Sequence, residues 1–271
     1  MNLVKNRYVF GGLALLTLVD AQNQLSAIEA NKMLKPSANL AWQLFYNAQL
    51  AGGYESIIHF VLFLALFPAI VSWMLIYQKN SNLDSSALTR VNRRKYWAKQ
   101  GLQLFVLAAV YRLLLTAMEL LLVSVKFGYL DFSLIFKQSE TSFMLFNPNA
   151  SLQFLIYTVI SALGWGIWAL LTYSTCLFVK RTILVIPVAL LVSFAGSVLP
   201  IVIAQTNIPV LYDLAYALLF GNVQAPGVMT VNGKLRGVTI IYPLISLIFY
   251  AGLSVVAARL YMRKAERGLL D

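Results

Sequence analysis

Apolar residues along this chain gather in long blocks separated by short polar stretches. A helix of about 20 apolar residues is needed to cross the roughly 30 Å hydrocarbon core of a bilayer. Five blocks of this length follow a shorter first one. We predict six spans, at about residues 8–28, 57–77, 101–125, 152–179, 183–204 and 238–258. The predicted fold class is all-α, a polytopic membrane protein with one transmembrane domain over residues 1–271.

Composition supports a membrane protein. Of the 271 residues, 60% are hydrophobic and 11% are charged, whereas soluble domains have about 25% charged residues. The first block, Tyr8–Val19, is short enough to resemble a signal-peptide core. We expect a retained span instead, because the residues that follow, Asp20–Leu25, can continue the same helix.

The basic residues predict the orientation. Six crossings place both termini on one side, and that side carries fourteen of the 21 lysines and arginines; six lie on the other side and Arg112 lies within a span. Basic residues concentrate in cytoplasmic loops, so both termini are predicted to be cytoplasmic, in a plasma membrane. The net charge of +11 is then explained by orientation and by anionic lipid headgroups. We therefore expect no nucleic-acid partner.

The residue types needed for most catalytic and metal sites are scarce. One cysteine and one histidine exclude a disulfide framework and a multi-histidine metal site within one copy. No Gly-rich phosphate-binding loop or hydrolase motif is present. The chain is therefore predicted not to be an enzyme and to bind no cofactor itself.

Three outer connections are predicted, at residues 29–56, 126–151 and 205–237. The first is expected to form helix, break and helix near the interface. The second is rich in aromatic residues and is expected to rest on the membrane surface. The third contains an apolar stretch at 209–220 that is too short to span, which fits a re-entrant or surface helix packed on protein.

Arg112 lies about 15 Å into the third span, near the bilayer midplane. A charge there costs about 2.5–3.5 kcal/mol on insertion scales, so it should face protein or water. Glu119 lies two turns further on the same helix face, about 10 Å away, and we expect direct contact to be strained and a partner on another helix or a bridging water instead. A packed ion pair and a role in the translocation route remain open.

Two further polar positions lie near the outer ends of spans. Glu55 and His59 are spaced i, i+4 on a helix, which indicates a hydrogen-bonded interfacial pair or a proton-sensing pair. Asp20, at the outer end of the first span, is expected to be solvated.

The cytoplasmic segment 79–100, between the second and third spans, is both basic and amphipathic. Leu83, Ala87, Leu88 and Val91 form one apolar face of a short helix that Asn82 or Asp84 could cap. A helix docked into a partner's groove uses such a face. The alternative is a helix lying on the bilayer surface beside the basic cluster.

The stretch Leu88-Thr89-Arg90-Val91-Asn92-Arg93-Arg94-Lys95-Tyr96-Trp97-Ala98-Lys99, leading straight into the third span, resembles the permease subunits of type-two ABC exporters, particularly the small six-span bacterial kind. The resemblance implies that the segment is a coupling helix held by a separate ATPase subunit. The coupling residues it implies are Leu83, Asp84, Ala87, Leu88, Arg90, Val91, Arg93, Arg94 and Tyr96, with Lys180 and Arg181 in the Val179–Thr182 turn. ATP and Mg²⁺ would be bound by that partner.

The resemblance implies a permease that pairs with a second permease, identical or related, and with two ATPase subunits. An amphipathic or hydrophobic cargo is expected: a peptide, a lipid-linked molecule or an antibiotic. The rival hypothesis is an ATP-independent secondary transporter or a binding component of an uptake system. In that case Arg112, Glu119 and His59 would carry substrate or proton. The residues predicted to line the translocation route are these three and Glu55.

Overall fold

A computed structural model describes residues 7–30, 37–47, 66–81, 93–127, 130–137, 145–205, 208–227 and 239–267. These residues are helical and contain no strand, apart from an isolated bridge between Ile135 and Asn149. The predicted all-α class is therefore confirmed for the described part of the chain.

The described residues form nine α-helices, with a 3-10 turn at Thr182–Leu184 leading into the sixth. The helices are α1 (Arg7–Ala30), α2 (Ala38–Asn47), α3 (Phe67–Asn80), α4 (Arg93–Phe127), α5 (Ala150–Cys176), α6 (Val185–Ala204), α7 (Pro209–Leu218), α8 (Gly221–Gln224) and α9 (Ile241–Glu266). Residues 93–100, predicted as part of a cytoplasmic loop, are the first two turns of α4.

In the part of the chain that the structure describes, four helices are long and apolar enough to cross a membrane: α4, α5, α6 with its 3-10 turn, and α9. They correspond to the last four predicted spans, and α9 runs eight residues beyond its predicted end. α1 has the length of a span, but its C-terminal half is polar, and α3 covers only part of the second predicted span. The crossings at 8–28 and 57–77, and the side of the membrane on which the termini lie, stay predictions.

α5 is the central helix, packed against α3, α4, α8 and α9. In the most apolar part of α5, 56% of the residues are buried, whereas the corresponding share for α6 is 22%. Side chains of α6 such as Leu191 and Phe194 point outward from the bundle. Two glycines permit the close approach of neighbours. A β-carbon on Gly164 would overlap the carbonyl oxygen of Val223, and one on Gly166 would press on the ring of Phe105.

An aromatic layer covers one end of the bundle. Trp42 of α2 is fully buried, and its indole N–H donates to the Asp131 carbonyl oxygen at 3.0 Å. Its ring lies 6.1 Å from that of Phe136. Phe136 is buried rather than resting on the membrane surface, so that part of the prediction for 126–151 is wrong. Phe136 therefore packs on the aromatic face of α2, whereas a membrane surface was expected beside it.

The short helices α7 and α8 pack on protein, as predicted for residues 209–220. The Phe220 amide donates to the Gly196 carbonyl oxygen at 3.0 Å, and the Tyr250 hydroxyl donates to that of Leu218 at 2.7 Å. α8, which we call the inserted tip, is buried along its whole length and lies between α5 and α9. The connection between α6 and α9 therefore enters the interior of the bundle at α8.

Candidate functional site

Arg112 is buried in the bundle, with all three of its guanidinium nitrogens hydrogen-bonded. Its Nη1 donates to Glu119 Oε1 at 3.0 Å, its Nε to Ser161 Oγ at 2.9 Å and its Nη2 to the Tyr157 hydroxyl at 2.8 Å. The side chains of Arg112 and Glu119 are 4% and 1% exposed. A partner on another helix was expected, and Ser161 and Tyr157 of α5 fill that role, but the expectation that direct contact with Glu119 would be strained is wrong.

Helix geometry explains the direct ion pair. Two turns separate the Cα atoms of Arg112 and Glu119 by about 10 Å. Side chains on a helix lean toward its N-terminus, so Glu119 leans back toward Arg112. The long arginine side chain closes the remaining gap, and the i, i+7 spacing becomes a contact.

Ser161 links this ion pair to the inserted tip. Its hydroxyl accepts from Arg112 and donates to the Gln224 carbonyl oxygen at 2.6 Å. The Trp165 indole N–H donates to the same oxygen at 3.2 Å, and the Arg112 guanidinium lies 5.3 Å from the Trp165 ring. The arginine is thus held by a carboxylate, two hydroxyls and an aromatic face, as a buried cation requires.

Asp20 joins this group from α1. The residue is 1% exposed, and its carboxyl group lies within hydrogen-bond reach of that of Glu119. The expectation that Asp20 would be solvated is therefore wrong. The buried face of α1 recurs every three or four residues, at Val9, Leu13, Leu16, Asp20, Gln24 and Ile28. Asp20 lies at a position that continues the apolar stripe of α1, so its burial could have been predicted from the sequence alone.

We call Asp20, Arg112 and Glu119, with Tyr157 and Ser161, the buried charge centre. Two buried polar side chains flank it, Gln24 one turn after Asp20 and Thr116 between Arg112 and Glu119. Both Gln24 amide atoms and the Thr116 hydroxyl lack a hydrogen-bond partner among the described residues. Glu55 and His59, predicted to share the translocation route, lie outside the described residues. Within the described part of the chain no group of residues suits a metal ion.

A second group of polar contacts joins the helix ends at one end of the bundle. The Lys79 ammonium, at the end of α3, donates to the carbonyl oxygens of Leu177 and Val179 at 2.6 and 2.8 Å. The Asn80 amide nitrogen donates to the Thr182 hydroxyl at 3.2 Å. The end of α3 is therefore fixed to the turn that carries Lys180 and Arg181, both of which are exposed.

The first turns of α4 meet the end of α9 at the same place. Arg94 forms a bidentate ion pair with Glu266, at 2.9 and 3.0 Å. The Tyr261 ring lies 5.5 Å from the Lys79 ammonium and 6.2 Å from the Trp97 ring, and the Tyr96 ring lies 5.3 Å from that of Trp97. We call this end of the bundle, formed by residues 79–81, 93–99, 177–182 and 259–267, the basic end.

The structure brings part of the predicted coupling set together. Arg94, Tyr96, Lys180 and Arg181 all lie at the basic end, and Arg93 is the first residue of α4. Leu83, Asp84, Ala87, Leu88, Arg90 and Val91 lie outside the described residues, so their predicted helix stays a prediction. Residue 81 and residue 93, which flank that segment, both belong to the basic end.

An apolar groove of about 640 Å³ opens between α1, α3 and α6. Its lining includes Ile70, Trp73, Met74, Tyr77 and Ile186. The groove is large enough for a hydrocarbon chain or an apolar side-chain cluster, and sequence reasoning did not predict it.

Comparison with protein-family models, with curated proteins and with solved structures gives no match for this chain. The geometry of the buried charge centre, the basic end and the apolar groove therefore has to carry the functional argument.

Proposed function

We propose that this chain is the membrane-spanning permease subunit of an ABC transporter, and that a separate ATPase subunit binds its basic end. The observation that carries the proposal is the set of hydrogen bonds from Lys79 and Asn80 to the 177–182 turn. These bonds hold the end of α3, which precedes segment 82–92 in the chain, against the turn of Lys180 and Arg181, and this supports a single partner surface for both predicted coupling regions.

Such an arrangement suits the transmission of force. A partner that binds segment 82–92 would also contact the 177–182 turn. That turn leads from α5 directly into α6. Closure of two ATPase subunits would then move α3, α4, α5 and α6 together, in a rigid-body change between inward and outward access. A second permease, identical or related, would complete the pathway.

The cargo class is proposed from the apolar groove. Its lining is almost wholly apolar, with Trp73 and Tyr77 as large rings. Such a surface favours an amphipathic or hydrophobic molecule, such as a peptide, a lipid-linked molecule or an antibiotic. Membrane lipid would compete for the same groove.

The proposal is tested by purifying the full chain from membranes of its native host and identifying partners by mass spectrometry. We expect an ABC ATPase subunit whose ATP hydrolysis rises when the permease is present. Leu88→Asp and Arg90→Glu should leave membrane insertion intact and abolish that stimulation. Lys126→Glu, an exposed residue at the other end of α4, is the matched control and should leave it unchanged. Normal stimulation in the Leu88 and Arg90 variants would refute the proposal.

The buried charge centre favours a second candidate, an ATP-independent secondary transporter or a substrate-binding membrane component. Ionisable groups within a membrane bundle often mark ion pathways. This candidate predicts that proteoliposomes of the purified chain accumulate cargo when an ion gradient is imposed and ATP is absent. Under the permease hypothesis the same vesicles show no accumulation until the ATPase subunit and ATP are added.

A further inference from the structure

The buried charge centre contains one more acid than base. Asp20 and Glu119 are both 1% exposed and Arg112 is 3% exposed. If both acids were ionised, the centre would hold a net negative charge in an environment of low dielectric, where an uncompensated charge is costly. One additional proton would make the three side chains neutral as a group.

Within the described part of the chain, the other titratable groups that face the centre cannot supply the missing positive charge. They are tyrosines: Tyr111 of α4, whose hydroxyl donates to the Leu13 carbonyl oxygen at 3.0 Å, Tyr157 of α5, and Tyr46 of α2, whose ring lies 5.1 Å from that of Tyr157. A tyrosine is neutral or negative, never positive. Among the described residues, Arg112 is therefore the cation that balances the two acids.

The closeness of the two acids also favours the binding of a proton. The carboxyl groups of Asp20 and Glu119 lie within hydrogen-bond reach of each other, and an ionised carboxylate has no hydrogen to donate. Two carboxylates this close repel, and one proton bound by the pair relieves the repulsion. Glu119 also accepts a hydrogen bond from Arg112.

The unpartnered polar groups on either side point to exchange with water. Gln24 is fully buried and Thr116 is 2% exposed, and neither side chain has a hydrogen-bond partner in the described residues. Both lie one helical turn from an acid of the centre, Gln24 from Asp20 and Thr116 from Glu119. Buried polar groups of this kind are the usual partners of internal water molecules, which would carry the proton to the pair.

We propose that the Asp20–Glu119 pair is an exchangeable proton-binding site inside the membrane bundle, balanced by Arg112. A proton taken from water binds the carboxylate pair and neutralises the centre; its release leaves both carboxylates ionised beside one guanidinium. The site rests on this geometry and does not depend on the function proposed above.

Infrared spectroscopy of the purified chain tests the site, because a protonated carboxyl group has a C=O band that ionised carboxylates lack. At neutral pH we expect a band of about one carboxyl group that shifts in D2O and disappears as the pH is raised. A shared proton makes a sharp prediction: both Asp20→Asn and Glu119→Gln abolish the band, since the remaining acid then pairs with Arg112 and ionises.

Glu29→Gln is the matched control, because Glu29 is an exposed acid on the same helix as Asp20. Glu55→Gln and Glu140→Gln, at acids outside the described residues, should also retain the band. Absence of the band in the wild-type protein at neutral pH overturns the proposal. A band that survives Glu119→Gln and is lost only in Asp20→Asn also overturns it, because Asp20 would then be protonated by burial alone. Should one variant fail to fold, the wild-type pH titration still decides whether a proton is bound.

The result is separable from the transporter hypothesis. Loss of ATPase coupling in the Leu88 and Arg90 variants with no carboxyl band would leave the permease proposal intact and overturn the proton site. A carboxyl band in a protein that binds no ATPase partner would support the proton site and overturn the permease proposal.

Discussion

Two arginine–glutamate pairs in this protein have nearly the same geometry and opposite surroundings. Arg94 and Glu266 meet at 2.9 Å at the basic end, with side chains 65% and 48% exposed. Arg112 and Glu119 meet at 3.0 Å inside the bundle, with side chains 4% and 1% exposed. The distance alone gives no reason to rank them, so the surroundings decide their energetic roles.

Water screens the exposed pair and has largely been removed from the buried one. Exposed ion pairs contribute about 0–1 kcal/mol. Breaking a buried pair by removing one partner costs about 3–5 kcal/mol, because the other charge is left uncompensated. The comparison predicts a steep gradient of mutational effects from the buried charge centre to the basic end.

The largest effect is expected for Arg112→Met, which leaves Asp20 and Glu119 buried without a cation. We predict a loss of about 3–5 kcal/mol in the free energy of unfolding, measured by denaturant titration in detergent micelles. Arg112→Met combined with Glu119→Leu should recover most of this loss, because both members of the pair are then apolar. A double variant as unstable as the single one would contradict the charge-based account.

The next largest effect is expected for Gly164→Ala, which changes no charge. The new methyl group would overlap the Val223 carbonyl oxygen and push the inserted tip away from Ser161. We predict a destabilisation near the upper end of about 1–3 kcal/mol, measured by the same titration. Gly252→Ala is the matched control, since a β-carbon there meets no atom within 4 Å and alanine favours the helix. Equal effects at both glycines would refute the close approach of tip and α5.

Ser161→Ala should have an intermediate effect. It removes the hydroxyl that accepts from Arg112 and donates to Gln224, while Trp165 still donates to the same carbonyl oxygen. Leaving one buried donor unsatisfied costs about 1–3 kcal/mol. Thermal unfolding in detergent should show the loss, and Ser151→Ala, an exposed position on the same helix, is the control. An unchanged midpoint in Ser161→Ala would show that the serine link adds nothing to the buried pair.

The smallest effect is expected for Arg94→Met at the basic end. Its loss should change the free energy of unfolding far less than Arg112→Met does, and the difference from wild type should shrink as salt is added. A loss comparable to that of Arg112→Met would remove the distinction between the two pairs.

The sequence predicts helix positions well here because span length and apolar composition are local properties. The ends of the helices that match the last four predicted spans lie within about three residues of the prediction, except at the start of α4 and the end of α9. In the extension of α9, Glu266 pairs with Arg94 and Tyr261 packs against Trp97, and both are tertiary contacts. The buried position of Arg112 was also predictable, because a charge near a bilayer midplane has few alternatives.

The remainder of the buried charge centre depended on contacts between distant segments. Asp20 was misjudged because its position near a predicted span end suggested solvent, whereas α1 presents it to α4. The direct contact with Glu119 was misjudged because Cα separation was considered without the lean of the side chains. The role of Ser161 as a link to residue 224 required the path of the inserted tip, which hydropathy does not encode.

The close approach of Gly164 to the Val223 backbone has a consequence for evolution as well as for stability. Position 164 has no room for any side chain while the backbone at 223 keeps its place. Any evolutionary relative that carries a larger residue at the equivalent of 164 must therefore have rerouted the chain near 223. A larger residue at 164 should therefore be inherited together with insertions, deletions or turn-forming residues that move the backbone near 223, and this linkage offers a signature by which relatives can be recognised.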